Sequence, residues 1–211
     1  CIRDRNKIIA APSFEYPHAL EDGFEVIKLP EATNSHLETL AKALDYLPDN
    51  ESILFSSCDC YGLINWMDFE IIKNQSEANC VVFSFEPTLL NKKNKQQHTT
   101  IDVFNKSVID VDIKSKRKRY EKGLAGFFWF KNIGVIKTLL RSNDLSKEKG
   151  ELLVDHLIML MAKSKHKPIC YELESYVHLG TPDEYNEFHY WSGRGSNMID
   201  AGSGQKNNDK I

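Results

Sequence analysis

Tyr176-Val177-His178-Leu179-Gly180-Thr181-Pro182-Asp183-Glu184-Tyr185 is the stretch on which the reading of this chain turns. A short apolar strand at Tyr176 and Val177 runs into a glycine, and a marked helix start follows. Thr181 is a good N-cap, and Pro182 takes the first helical position, where a missing N–H costs nothing. Glu184 completes a Thr-x-x-Glu capping box. Tyr185, Phe188 and Trp191 recur at helical spacing and give the helix an apolar face, with Trp191 as its end anchor against the core. A strand, a glycine turn and the positive end of a helix form a common platform for a phosphorylated ligand. Alone, the stretch equally describes a strand-to-helix corner with no ligand.

Upstream, the apolar patterning supplies a sheet and its helices. Phe24–Leu29 alternates as a strand, and His36–Leu47 places Leu37, Leu40, Ala41, Leu44 and Leu47 on one helical face. Ser52–Ser57 and Cys80–Phe85 are short continuous apolar runs, which suit strands buried on both faces of a parallel sheet. Asn65–Asn74 reads as a helix between them. Thr100–Phe104 and Val108–Ile113 are expected to pair through Asn105-Lys106-Ser107. Gly126–Phe130 is an aromatic strand, Ile133–Arg141 and Gly150–Ser164 are helical, and Ile169–Leu173 is a strand leading to the opening stretch. This order predicts an α/β fold of three layers around a mixed sheet, without internal repeat or second domain.

The 211 residues suit one domain with a full core. A net charge of −3 argues against a general nucleic-acid binder. No apolar run approaches the roughly 20 residues that span a bilayer, so a cytoplasmic protein without membrane association is expected. The five cysteines, Cys1, Cys58, Cys60, Cys80 and Cys170, match no disulfide or zinc framework, and the internal ones read as ordinary core thiols. Cys1-Ile2-Arg3-Asp4-Arg5 resembles a translated sequencing adaptor and is set apart from the fold. Ser192–Ile211, rich in Gly, Ser, Asn and Lys, is expected to be a disordered tail or linker. The domain is thus expected over residues 6–191.

Asp59 directly follows the buried run Phe55-Ser56-Ser57-Cys58. In open α/β sheets ligands bind beyond the carboxyl ends of the strands, and a carboxylate there can hold Mg²⁺ together with substrate phosphates. A turn aspartate bonding its own backbone is the alternative. Four further segments fall in order around it: Leu29 to Thr39 before a helix, Val108-Ile109-Asp110-Val111-Asp112-Ile113-Lys114, Ala125 to Phe130, and Gly180-Thr181-Pro182. Taken together, from about residue 24 to 191, the series resembles the sugar-phosphate nucleotidyltransferase family, especially members from capsule and surface-polysaccharide clusters.

The resemblance implies a Rossmann-like, glycosyltransferase-A-like fold and a reaction joining an NTP to a sugar-1-phosphate with release of pyrophosphate. It implies that Asp59 coordinates a catalytic Mg²⁺ or Mn²⁺, with His178 as a second candidate ligand. Lys114, the lysine of the Val-x-x-Val-x-x-Lys pattern, would contact phosphate. Gly126 would approach the sugar through its backbone, and Ser35 and His36 would lie against the nucleotide base. Thr181 joins the sugar-phosphate side. Three positions depart from the family pattern: Ser35 replaces a glycine, Ile113 a glutamate, and His178 the usual second metal carboxylate. Glu172 and Glu174, which share a face if Tyr171–Tyr176 is one strand, are the substitutes for that carboxylate. No glycine-rich phosphate loop is found. It is expected upstream of residue 6, and the segment without it is expected to be inactive.

Two other functions compete. A glycosyltransferase of the same broad fold would more often carry Asp-x-Asp where this chain has Cys58-Asp59-Cys60. A non-catalytic regulatory domain is favoured by His178 and Ile113. The basic run Lys114–Lys122 and Lys92, Lys93 and Lys95 read as solvated loop charges, and His156 as a packed helix residue.

Overall fold

The computed structural model describes residues 7–12, 24–74, 78–87, 98–115, 120–143 and 151–203. Its centre is a six-stranded mixed sheet in the order β3-β8-β5-β9-β7-β6. The strands are β3 (Ile53–Ser56), β5 (Cys80–Phe85), β6 (Thr100–Phe104), β7 (Ser107–Asp112), β8 (Lys122–Phe130) and β9 (Ile169–Glu172). Only β5 and β9 pair in parallel; β8 lies antiparallel between β3 and β5. The sheet curls so that the start of β6 also bonds β8, at Thr100 and Gly123. The expectation of a parallel sheet for Ser52–Ser57 is thereby corrected. β3 is an antiparallel edge strand of intermediate burial, ending in an exposed Ser56.

Strand alternation divides the core in two, and helices cover both faces. Cys80 and Val82 of β5 and Phe128 and Phe130 of β8 pack with α1 (His36–Leu44), α3 (Ile133–Ser142) and α4 (Val154–Ala162). Val81, Phe83, Ala125, Phe127 and Trp129 face the other way, against Phe69 of α2 (Trp66–Lys73) and Tyr171. Three layers result because each central strand has two apolar faces to bury.

The local signals account for the boundaries. Ser35, Asn65 and Asn132 cap α1, α2 and α3 by accepting first-turn amides. Asn105 and Lys106 both have positive φ (48° and 64°), the geometry of a two-residue type I′ turn joining β6 to β7. His156 is buried in α4, and its Nδ1 accepts the Leu153 N–H, which makes it a helix-end residue as expected. All four described cysteines are free thiols; Cys80 is a fully buried core thiol as expected, whereas Cys58 is exposed in the loop after β3, which corrects the core reading there.

Three features differ from the sequence reading. A strand β1 (Lys7–Pro12) pairs in parallel with β2 (Phe24–Leu29), where no strand was read. Tyr171–Tyr176 is not one strand. β9 ends at Glu172, and β10 (Ser175–His178) leaves the sheet to form a separate antiparallel ribbon with β4 (Cys60–Leu63). Finally, α5 runs Pro182–Ser203, through the first part of the expected tail. Tyr185, Phe188 and Trp191 on it are 50%, 41% and 61% exposed, so Trp191 is not anchored in the core. Residues 1–5, the lysines at 92, 93 and 95, positions 116–119 of the basic run and 204–211 lie outside the described residues. Among the described residues no helix is long and apolar enough to cross a membrane.

Candidate active site

The β4–β10 ribbon builds the site. Its register sets His178 opposite Cys60, one residue past Asp59. The Leu179 N–H extends the pairing by donating to the Asp59 carbonyl at 2.7 Å. The loop after β3 and the end of β10 are thus locked together, and their side chains meet: His178 Nε2 lies 3.5 Å from Asp59 Oδ2. Gly180 makes this approach feasible. A Cβ there would stand 2.6 Å from His178 Cε1 and 2.9 Å from Asp59 Oδ2.

His178 is held on both sides. Its Nδ1 is 2.7 Å from Glu184 Oε2, and Glu184 Oε1 is 3.4 Å from His98 Nε2. Glu184 and His98 are both buried. Glu184 was expected only to complete a capping box. Its N–H does bond the Thr181 hydroxyl, but its carboxylate accepts the Thr181 O–H and turns inward to the histidines. The start of α5 is therefore a buried carboxylate–histidine cluster, and the Thr181 hydroxyl is committed to it. The two carboxylates push the His178 pKa up, Asp59 foremost, while His178 holds the Asp59 carboxyl below the usual range.

Asp59, His178 and His98 open onto a cavity of about 290 Å³ that His36, Ser57, Thr99, Lys114, Gly126, Asp155 and Tyr176 also line. Lys114, just past β7, is exposed and has φ 41°, an uncommon conformation for a non-glycine residue and one often found at functional sites. His36 opens α1 with its ring 5.1 Å from that of Phe55, and burial pushes its pKa down. Thr99 donates its hydroxyl to Asp155 at the start of α4. Burial raises the Asp155 pKa against the opposing pull of that bond, Lys114 and His36. Gly126 is required by packing, since a Cβ would lie 2.6 Å from Ser57 Oγ. Its carbonyl accepts the Ser57 N–H at 2.8 Å.

Of the residues expected from sequence, Asp59, Lys114, His36, Gly126 and His178 converge here. Others do not. Ser35 is the N-cap of α1, its Oγ accepting the Glu38 N–H at 3.1 Å. Glu172 and Glu174 line a different cavity of about 480 Å³ with Asp68, Ile71, Lys106 and Lys122. Because β9 ends at Glu172, that residue stays with the main sheet, while Glu174, whose N–H bonds the Leu63 carbonyl, stands at the end of the ribbon away from His178. Glu172 is ion-paired to Lys122. They do not replace the missing carboxylate. His98, Thr99, Asp155 and Glu184 were not singled out. Glu184 had a visible capping signal, whereas His98 and Asp155 sit in segments with no motif of their own.

The same architecture recurs in solved structures. A chain described as a glucose-1-phosphate thymidylyltransferase of Bacillus anthracis, in complex with a sucrose, superposes with a TM-score of 0.64 at 13% identity, over 92% of this chain and 71% of that one. A UDP-glucose pyrophosphorylase complexed with UDP-glucose gives 0.65 at 12% identity, over 83% and 69%. A nucleoside-diphosphate-sugar pyrophosphorylase of Vibrio cholerae RC9 gives 0.59 at 14%, over 81% and 72%. The chain has the fold of the sugar-1-phosphate nucleotidyltransferases. At these identities the likeness is one of fold alone. No family model and no curated protein matches the sequence.

Within this nucleotidyltransferase fold, the donor set can be tested against Mg²⁺. Asp59 offers one half-exposed carboxylate on the cavity. That is enough for an ion that keeps waters and substrate phosphates in its shell. His178 is not suited to the same ion, since Mg²⁺ prefers oxygen and both ring nitrogens face carboxylates. The residues fit a single-carboxylate magnesium site on Asp59.

Proposed function

We propose that this protein is a nucleotidyltransferase that makes a nucleotide-sugar from an NTP and a sugar-1-phosphate, releasing pyrophosphate, for polysaccharide biosynthesis. The observation that carries the reading is convergence: Asp59, Lys114, His36 and Gly126 come from four separate segments and line one cavity in a chain of nucleotidyltransferase fold.

In this reading a sugar-1-phosphate oxygen attacks the α-phosphorus in line as pyrophosphate leaves. Such chemistry requires positioning and charge neutralisation more than covalent catalysis. Asp59 would hold Mg²⁺ or Mn²⁺, which when bound would offset phosphate charge. Lys114 supplies a second positive charge, its backbone held in a conformation that brings it to the cavity mouth. His36, neutral through burial, presents a flat ring beside Phe55 to the base. Gly126, which lines the cavity, would meet the sugar through its backbone.

The test is a screen of the four NTPs against sugar-1-phosphates, scored by pyrophosphate release, using protein expressed from its complete coding sequence. One combination should turn over. Absence of release with every pair would refute the proposal. It would favour a non-catalytic domain of the same fold, the reading to which the replacement of a carboxylate by His178 points.

A further inference from the structure

The proposed chemistry at Asp59 does not use His98 or Glu184, yet these residues and the half-buried His178 form a compact group of donors. One ligand atom from each lies within 4.8 Å of the others. The side chains are 7%, 4% and 17% exposed. They come from three segments that the fold brings together: the second residue before β6 is His98, the end of β10 gives His178, and the first turn of α5 Glu184.

We propose that His98, His178 and Glu184 form a binding site for a divalent transition-metal ion, with Zn²⁺ the best match. Two imidazoles and a carboxylate are a borderline donor set, suited to Zn²⁺ and poorly suited to Mg²⁺. Tetrahedral Zn²⁺ with bonds of roughly 2.0–2.2 Å sets its ligand atoms about 3.3–3.6 Å apart. Glu184 Oε1 and His98 Nε2 already stand at 3.4 Å. The other oxygen of that carboxylate, Oε2, is 2.7 Å from His178 Nδ1, a hydrogen bond that the ion would replace.

The surroundings are those a metal site needs. A ligating histidine usually gives its other ring N–H to a carboxylate, which fixes the tautomer and raises its basicity. Here Asp59 Oδ2 faces His178 Nε2, on the side of the ring away from Glu184. Thr181 Oγ1 donates to Glu184 Oε2 at 2.8 Å. The rings of Phe85 and His178 stand edge-on to that of His98, at 5.6 and 5.0 Å. His98 and His178 line the 290 Å³ cavity, so a fourth coordination position would face that space and admit water or an anionic ligand. The ion would also tie α5, whose aromatic side chains are largely exposed, to the body of the protein. The site does not depend on the nucleotidyltransferase reading, and its test reads metal binding, not turnover.

The test uses the full chain stripped with a chelator, titrated with Zn²⁺ against a chromophoric competitor and separately with Co²⁺. About one equivalent of Zn²⁺ should bind and raise the melting temperature, and a large excess of Mg²⁺ should not displace it. Bound Co²⁺ should show a tetrahedral ligand-field spectrum without a thiolate charge-transfer band. His98→Gln and Glu184→Gln, which keep hydrogen-bonding side chains in place, should each weaken binding at least tenfold, while a Cys58→Ser/Cys60→Ser double variant should not. Should the substitutions prevent folding, the wild-type Co²⁺ spectrum and stoichiometry still decide. No stoichiometric binding by the wild type, a thiolate band, or binding unchanged in His98→Gln and Glu184→Gln would overturn the proposal.

Discussion

Two cavities flank this sheet, and they carry acids in opposite ways. The larger, about 480 Å³, holds Glu172, Glu174 and Asp68, with Lys106 and Lys122 among them. Its best-defined polar contact is the Lys122–Glu172 ion pair, 33% and 52% exposed. The smaller, about 290 Å³, holds Asp59 and Asp155, each tied to a partner from a distant segment: His178 for Asp59 and Thr99 for Asp155. Size does not mark the site. What distinguishes the smaller cavity is the cost at which its polar groups are held, in backbone strain at Lys114 and in desolvation at Asp155.

Perturbing each cavity in turn sharpens this contrast, and after Asp59 itself the largest effect is expected at Lys114. Lys114→Gly should lower turnover by on the order of 10²–10³. It should also relieve the positive φ, leaving stability unchanged or higher by up to about 1 kcal/mol. Steady-state kinetics beside urea denaturation reads both; a parallel fall in the two would mean that Lys114 is structural.

Gly180→Ala comes next. The added methyl meets His178 and Asp59 at 2.6 and 2.9 Å. It should push the pair apart, costing roughly 1–3 kcal/mol of stability and shifting the His178 imidazole resonances. Unchanged resonances would show that the close approach is not maintained in solution.

Asp155→Asn should act in the opposite direction. Burial raises the Asp155 pKa in the fold, so the folded state holds the proton more tightly than the unfolded chain. Stability referable to this group is then greatest below its unfolded value near 3.8. It declines as pH rises to the folded pKa and stays low above it. Asparagine removes that decline, so Asp155→Asn should melt higher than wild type at pH 7, with the gap closing toward pH 4. Melting curves across that range check it, and a lower melting point at pH 7 would contradict the assignment.

The smallest effect belongs to the larger cavity. Glu172→Gln removes one partner of an exposed ion pair and should change stability by less than about 1 kcal/mol. Turnover should stay within about twofold. A large loss of turnover would shift the chemistry to that side of the sheet.

Much of the architecture was legible in the sequence because it rests on local patterns. Cys80–Phe85 alternates between two cores, α1 and α2 fall within the helices expected over His36–Leu47 and Asn65–Asn74, and Asn105-Lys106 makes the tight turn of a hairpin. Strand direction was not legible, because a buried strand reads the same whether its neighbours run parallel or antiparallel; β3 shows this. The break between Glu172 and Ser175 was hidden too. It leaves Glu172 on the main sheet and sets both Glu172 and Glu174 on a different cavity from His178. Asp59 stood out because it follows a recognisable strand, and Lys114 because it completes the Val-x-x-Val-x-x-Lys pattern of the family resemblance. His98 and Asp155 enter the site only through tertiary packing, which leaves no periodic trace. Trp191 misled for a related reason, since an apolar helical face gives no indication of what covers it.

The central claim is that the smaller cavity performs nucleotidyl transfer through Asp59. Its most direct test is pyrophosphate release from NTP and sugar-1-phosphate by protein from the complete coding sequence, with the wild type, Asp59→Asn and Glu172→Gln measured side by side. The account predicts divalent-ion-dependent release by the wild type and Glu172→Gln and a loss of on the order of 10²–10³ or more in Asp59→Asn. Near-normal release by Asp59→Asn, with correctly folded protein, would contradict it.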